Sequence, residues 1–186
     1  LRLTLPDIFS KAYVREDGRH LVLDRAYEFA WVRQIGVRMI DRATFTIGGD
    51  KIQEFNSDWI AARALLDQDN TQYQKWRTLI GDVPECFDPA QGIYADPSGG
   101  YPNVMAWRGS VQVPNPVQNN APSIPGRILR IPLGLWFSDF IGNSLPLVAL
   151  QYHFCEVTIQ MRPIRDLYTV LDPNGNRLRY GTQLLP

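Results

Sequence analysis

Apolar and polar residues alternate most regularly between positions 35 and 47. Ile35, Val37, Met39, Ala43, Phe45 and Ile47 share one phase, broken only by Asp41. Gly36, Arg38, Arg42, Thr44 and Thr46 share the other, with Ile40 as the exception. A period of two marks a half-buried strand, so the run predicts one strand over 35–47. "GGDK" separates it from "KIQEF", and glycines between two such runs predict a hairpin. "LRLTL" alternates Leu1, Leu3 and Leu5 with Arg2 and Thr4 and stops at Pro6, a further strand. That opening has no initiator Met and no apolar signal segment, so the expectation is a piece of a longer gene product.

Helical spacing follows the hairpin. Asn56, Ser57 and Asp58 are N-cap types, and behind them "WIAARALLDQDN" places Trp59, Ala62 and Leu66 on one helical face. "TQYQKWRTLIG" predicts a second short helix with Tyr73, Trp76 and Ile80 on one face and Gly81 as its stop. Residues 84–126 then hold eight of the 14 prolines and show no period. They predict an inserted loop of about forty residues, longer than compact domains usually carry and therefore functional or exposed.

Strand patterns return in "RILRIPLGLWF", where Pro132 favours an edge or a bulge. In "LPLVALQYHFCEVTIQM", Val148, Leu150, Tyr152 and Phe154 alternate in one phase, and Cys155, Val157, Ile159 and Met161 in the other. A switch at Phe154–Cys155 predicts a β-bulge or a strand buried on both faces. "DLYTVLD" reads as one more strand and "DPNGNR" as a turn. Together these elements predict a mainly β domain, sandwich or barrel in class, and 186 residues fit one such domain.

Charge narrows the function. Lys+Arg and Asp+Glu both number 19, so the basic excess that phosphate neutralisation needs is missing. A neutral surface suits packing against copies of the same chain. No apolar stretch reaches the roughly 18 residues of a membrane helix. Cys86 and Cys155 stand too far apart in sequence to form a disulfide framework or a zinc motif.

Candidate chemistry is thin. A phosphate loop needs GxxxxGK followed by Ser or Thr, and Gly48-Gly49 with Lys51 lacks both the spacing and the hydroxyl. The glycines therefore read as a tight turn with positive φ. His20 and His153 are the only histidines; His153, beside aromatics, reads as packed within a strand. Ser144 lacks a nucleophile elbow, and Cys86 has no histidine partner in its motif. No catalytic, cofactor or metal residue is assigned. Among the five tryptophans, Trp59, Trp76 and Trp136 follow the apolar periodicity and read as core, whereas Trp107 reads as exposed or as a subunit contact.

Three ordered stretches resemble the major capsid proteins of nucleocytoplasmic large DNA viruses. They are "WVRQIGVRMIDRATFTIGGDKIQEFNSDWI", "LIGD", and "IPLGLWFSDFIGNSLPLVALQYHFCEVTIQM", and "LRLTLP" is similar to an early strand of the same family. The resemblance implies an all-β, antiparallel jelly-roll β-sandwich carrying two inserted helices and the 84–126 loop. It also implies a non-enzymatic structural subunit of an icosahedral capsid. Such subunits form homotrimers of pseudo-hexagonal outline, contact neighbouring capsomers and minor capsid proteins, and enter the virion after assembly in the host cytoplasm. The family usually carries two jelly rolls in tandem, so residues 1–186 are expected to be the N-terminal one, without its first strand, or else a divergent single-barrel relative. Two alternatives stand beside this. One is a minor capsid protein; the other is a carbohydrate-binding sandwich using Tyr94, Tyr101 and Trp107. An enzyme built on His153 and Cys155 is the weakest reading, because nothing completes its site.

Overall fold

The structure is a computed structural model that describes residues 1–17, 20–26, 28–93, 101–102, 105–108, 111–113, 121–146, 148–171 and 177–178. In chain order the early elements are β1 (Arg2–Leu5), β2 (Lys11–Asp17), β3 (His20–Ala26), β4 (Glu28–Trp31), α1 (Ile35–Arg38), β5 (Ile40–Ile47) and β6 (Asp50–Asn56). The helices α2 (Ser57–Asp67), α3 (Asn70–Leu79) and α4 (Pro84–Phe87) follow. Then come β7 (Met105–Arg108), β8 (Val111–Val113), β9 (Arg127–Arg130), β10 (Cys155–Met161), β11 (Tyr168–Leu171) and β12 (Arg177–Leu178). The fold is rich in sheet and poor in helix.

Among the described residues the sheets run β10-β5-β6, β12-β11-β4, β3-β2-β7-β8 and β1-β9. All pairings are antiparallel except β2 with β7, a departure from the purely antiparallel expectation. The core lies between these layers and the helices. Ile35, Val37, Ile40, Ala43, Phe45, Ile80, Leu129 and Ile131 are all buried, and each large side chain among them contributes roughly 1.5–3 kcal/mol by leaving water.

The glycine pair turns the chain. Gly48 and Gly49 sit at φ 61° and 95° between the paired residues Ile47 and Asp50. Two left-handed central residues make the turn whose twist matches a hairpin. The strand before it is shorter than expected, because residues 35–38 form the helical turn α1. There Ile35, Gly36 and Val37 are all buried, so burial on every side replaces alternation.

The misfit of Ile40 has a local cause. Met161 pairs with Ile40 and Gln160 with Arg42, so Asp41 is an extra residue in β5. Such a bulge shifts the side-chain phase by one, which lets Ile40 and Ala43 both reach the core.

The helices form where expected, with one face corrected. The Asn56 side chain caps α2 by accepting from the Trp59 amide at 2.9 Å, and Asp69 caps α3 through Gln72 at 2.7 Å. Helix α2 buries Ile60 and Ala64 and leaves Trp59, Ala62 and Leu66 exposed. The second helix buries Trp76, and Ile80 behind it, as its spacing predicts.

Three further expectations are revised. The run 127–137 is a strand only to Arg130, and Trp136–Ser138 forms a 3-10 turn. Residues 148–154 are turns and bends, so β10 begins at Cys155 and the phase switch marks a strand end. The proline-rich stretch contains α4, β7 and β8, and its far side is tied down. Ile8 and Ile124 form a β-bridge, the Ser10 amide donates to Ser123 Oγ at 3.1 Å, and the Gly126 amide donates to Asp7 at 2.6 Å. The turn expected at 172–176 lies outside the described residues.

A side chain at Gly49 meets nothing within 4 Å, so any penalty there is backbone strain alone. Gly49→Val should cost about 1–2 kcal/mol and Gly49→Asn clearly less, read from urea midpoints at unchanged slope. Equal losses would contradict the left-handed turn.

Candidate functional site

The arrangement with the most specific geometry is a junction between the segment after β4 and the end of α3. Gln34 adopts φ 55°, which aims its amide at Asp82 Oδ1, 3.3 Å away. Two residues later the Gly36 amide donates to the Ile80 carbonyl at 2.9 Å. A Cβ on Gly36 would stand 2.7 Å from that oxygen. Only glycine permits this approach of two backbones. Gly81, at φ 79°, ends α3 as a left-handed cap and packs under Leu129 and Ile35.

Asp82 closes the junction. Its side chain is 1% exposed and bonded by Arg77 Nε at 2.7 Å and Arg33 Nε at 3.4 Å. Burial pushes its carboxyl up, and the hydrogen bonds from Arg77 and Arg33 outweigh this and hold it below the usual aspartate value. The Arg33 guanidinium also lies 4.8 Å from the Phe87 ring centre, which brings α4 to the same point. The chemistry here is structural: both carboxylate oxygens of Asp82 accept hydrogen bonds from neighbouring members of the cluster.

A cleft of about 630 Å³ opens beside α2, lined in part by Trp59, Arg63, Asp67, Gln68, Pro132 and Asp139. Arg63 is already committed to Asp139 at 2.6 Å, Asp67 at 3.1 Å and the Gly134 carbonyl at 2.6 Å. Its guanidinium also lies 5.1 Å from the Trp59 ring centre. Arg63 thus joins α2 to the 134–139 segment.

The individual candidates from the sequence are dispersed. His153 is exposed in a bend over Gly48, contrary to the packed strand position expected. Cys155 is exposed at the start of β10, whereas Cys86 is buried in α4, and burial raises its thiol pKa. Ser144 is exposed after the 3-10 turn Ile141–Asn143. Lys51 pairs with Glu54 at 3.3 Å along the same strand, β6. Trp31 and Trp76 are buried, Trp136 is half-buried, and Trp59 lies at the surface, stacked on Phe55. His20 falls on β3 and Trp107 on β7, with their side chains outside the described part, as is Tyr94 altogether.

Tyr101 cannot serve a sugar platform. It is buried, its hydroxyl donates to the Phe29 carbonyl at 2.7 Å, and burial pushes its pKa up to about 12. Its role is to anchor the proline-rich stretch to β4. No helix among the described residues is long and apolar enough to cross a membrane.

A family model described as the major capsid protein N-terminus matches residues 1–180. The chain belongs to the major capsid protein family. Capsid protein 1 of Acanthamoeba polyphaga mimivirus is 27% identical over 145 residues, covering 78% of this chain and 21% of that protein. The major capsid protein of Phaeocystis pouchetii virus is 26% identical over 183 residues, covering 96% of this chain and 31% of that protein. This capsid-family chain therefore spans between about a fifth and a third of those relatives. The solved structure of PBCV-1 VP54, fitted into a reconstruction of the virophage Sputnik, shares the fold at a TM-score of 0.50. Its identity is 15%, with 86% of this chain and 26% of that chain covered.

Two stretches that carry the family resemblance, "WVRQIG" and "LIGD", are the two halves of the junction. The sequence signal was present in Gly36, Gly81 and Asp82, although nothing in their spacing shows that they meet.

Gly36→Ala should destabilise the fold by roughly 1–3 kcal/mol, since backbone must move. Asp82→Asn should cost about 1–3 kcal/mol at neutral pH by removing the charge that Arg77 and the largely exposed Arg33 answer. Because the folded pKa of Asp82 is depressed, its contribution is complete above the unfolded value of roughly 4 and is lost as pH falls through the lower folded value. Urea titrations from pH 7 to pH 2.5 should show the parent losing this increment with acid and the Asn variant lacking it. A parallel acid response in both would refute the assignment.

Proposed function

We propose that this chain is part of a structural subunit of an icosahedral viral capsid, working by assembly and not by turnover. The match of the major capsid protein model over residues 1–180 carries the reading. The sandwich is a jelly roll and forms one half of a double jelly-roll polypeptide, with the helices α2 and α3 and the 84–126 stretch as insertions. Three such polypeptides make a capsomer of pseudo-hexagonal outline, and capsomers tile the shell in contact with one another and with minor capsid proteins. The product resides in the virion after assembly in the host cytoplasm.

Physical features support this. Equal numbers of acidic and basic residues leave little repulsion between copies. The junction at Asp82 and the Arg63 bridge stiffen the connections between sheets and helices, so subunits meet with little conformational freedom to lose.

Expression of the longer polypeptide followed by native mass measurement and electron microscopy tests the reading. Trimers that go on to form closed shells or sheets are the expected result. A species that stays monomeric at high concentration would overturn it.

A further inference from the structure

Strand β10 has the pattern of a half-buried strand but not the burial. Cys155, Val157, Ile159 and Met161 alternate with Glu156, Thr158 and Gln160, yet six of the seven residues are exposed and only Ile159 is partly covered. Among the described residues β10 pairs only with β5, and no described strand lies along its other edge. The chain leading into it is barer still, with Val148 at 88%, Tyr152 at 85% and Phe154 at 91% exposure.

Proteins blunt exposed strand edges with Lys, Pro or bulges. The sequence CEVTIQM contains neither Lys nor Pro, and its one irregularity lies at the far end, between Gln160 and Met161. The first six residues, Cys155 to Gln160, carry Glu156 as their one charge and present a ladder of backbone donors and acceptors that no described strand pairs, with apolar side chains on one face. An edge of that kind is built to be paired.

The length of the relatives bears on the occupant. Matched relatives are covered to only 21% and 31%, so most of such a polypeptide lies outside these residues. A strand on the same polypeptide competes at an effective concentration in the millimolar range, which a second copy does not reach in dilute solution. We propose that the edge of β10 away from β5, together with the apolar run 148–154, receives a β-strand from elsewhere in the same polypeptide, outside residues 1–186. This rests on the reading of the chain as part of a longer subunit, but it concerns closure within a subunit and not contact between subunits.

Amide hydrogen exchange of the longer polypeptide, at concentrations below any assembly, tests the proposal. The amides of β10 that point away from β5 should be protected independently of concentration. They should exchange on the order of 100-fold faster in the 1–186 chain, where Cys155 also reacts freely with a thiol reagent while buried Cys86 does not. Fast exchange in the longer polypeptide overturns the proposal, whether or not 1–186 folds alone. Protection that grows with concentration assigns the edge to a second copy and overturns it too, as does equal protection in both chains. Shell formation is read separately by microscopy, so either result can fail without the other.

Discussion

The close approach of two backbones at Gly36 and Ile80 is the constraint on which the described core depends. It sets the depth at which the segment after β4 meets the end of α3, and hence where β5 starts. No side chain can be inserted at Gly36 without separating them. The same approach removes Asp82 from water, and a carboxylate so placed is tolerated only with its charge answered nearby. Arg77 comes from α3 and Arg33 from the chain after β4, so answering that charge pins both elements. Packing and electrostatics here are one interaction viewed from two sides.

Local signals were the legible ones. The hairpin could be read because alternation and a glycine pair lie within a few residues of each other. The two helices could be read from their caps and spacing. Their buried faces were less legible: a helix at the surface is wetted on one side, and α2 leaves Trp59 and Leu66 out while burying Ile60 and Ala64. Residues 35–38 misled because a single helical turn enclosed by core has no polar side, and apolar residues in a row resemble a strand as readily as a helix. Neither the bulge at Asp41 nor the junction at Asp82 could be read, since each is defined by a partner far along the chain.

The C-terminal third poses a different problem. Alternation at 148–154 is as regular as in β5, yet the chain there bends and stays exposed. Alternation records that one face of a segment is meant to be covered; it does not say that the cover lies within the same stretch of chain. Strand β5, whose apolar phase packs beside α1 and α2, shows the same kind of pattern satisfied among the described residues.

The proposed role in a shell places its own demand on such a part. A catalytic protein concentrates its information in a few side chains that act on a small molecule. Here Arg77 and Arg33 are directed at Asp82 and Arg63 at Asp139 and Asp67, while His153, Cys155 and Ser144 are exposed. What the residues specify closely is shape: where strands end and how near two backbones come. Association loses less entropy when those features are fixed beforehand. Among the described residues the polar groups hold the fold's own connections, and apolar side chains lie exposed along β10 and the run before it, which fits the proposed role of a part that is joined to others.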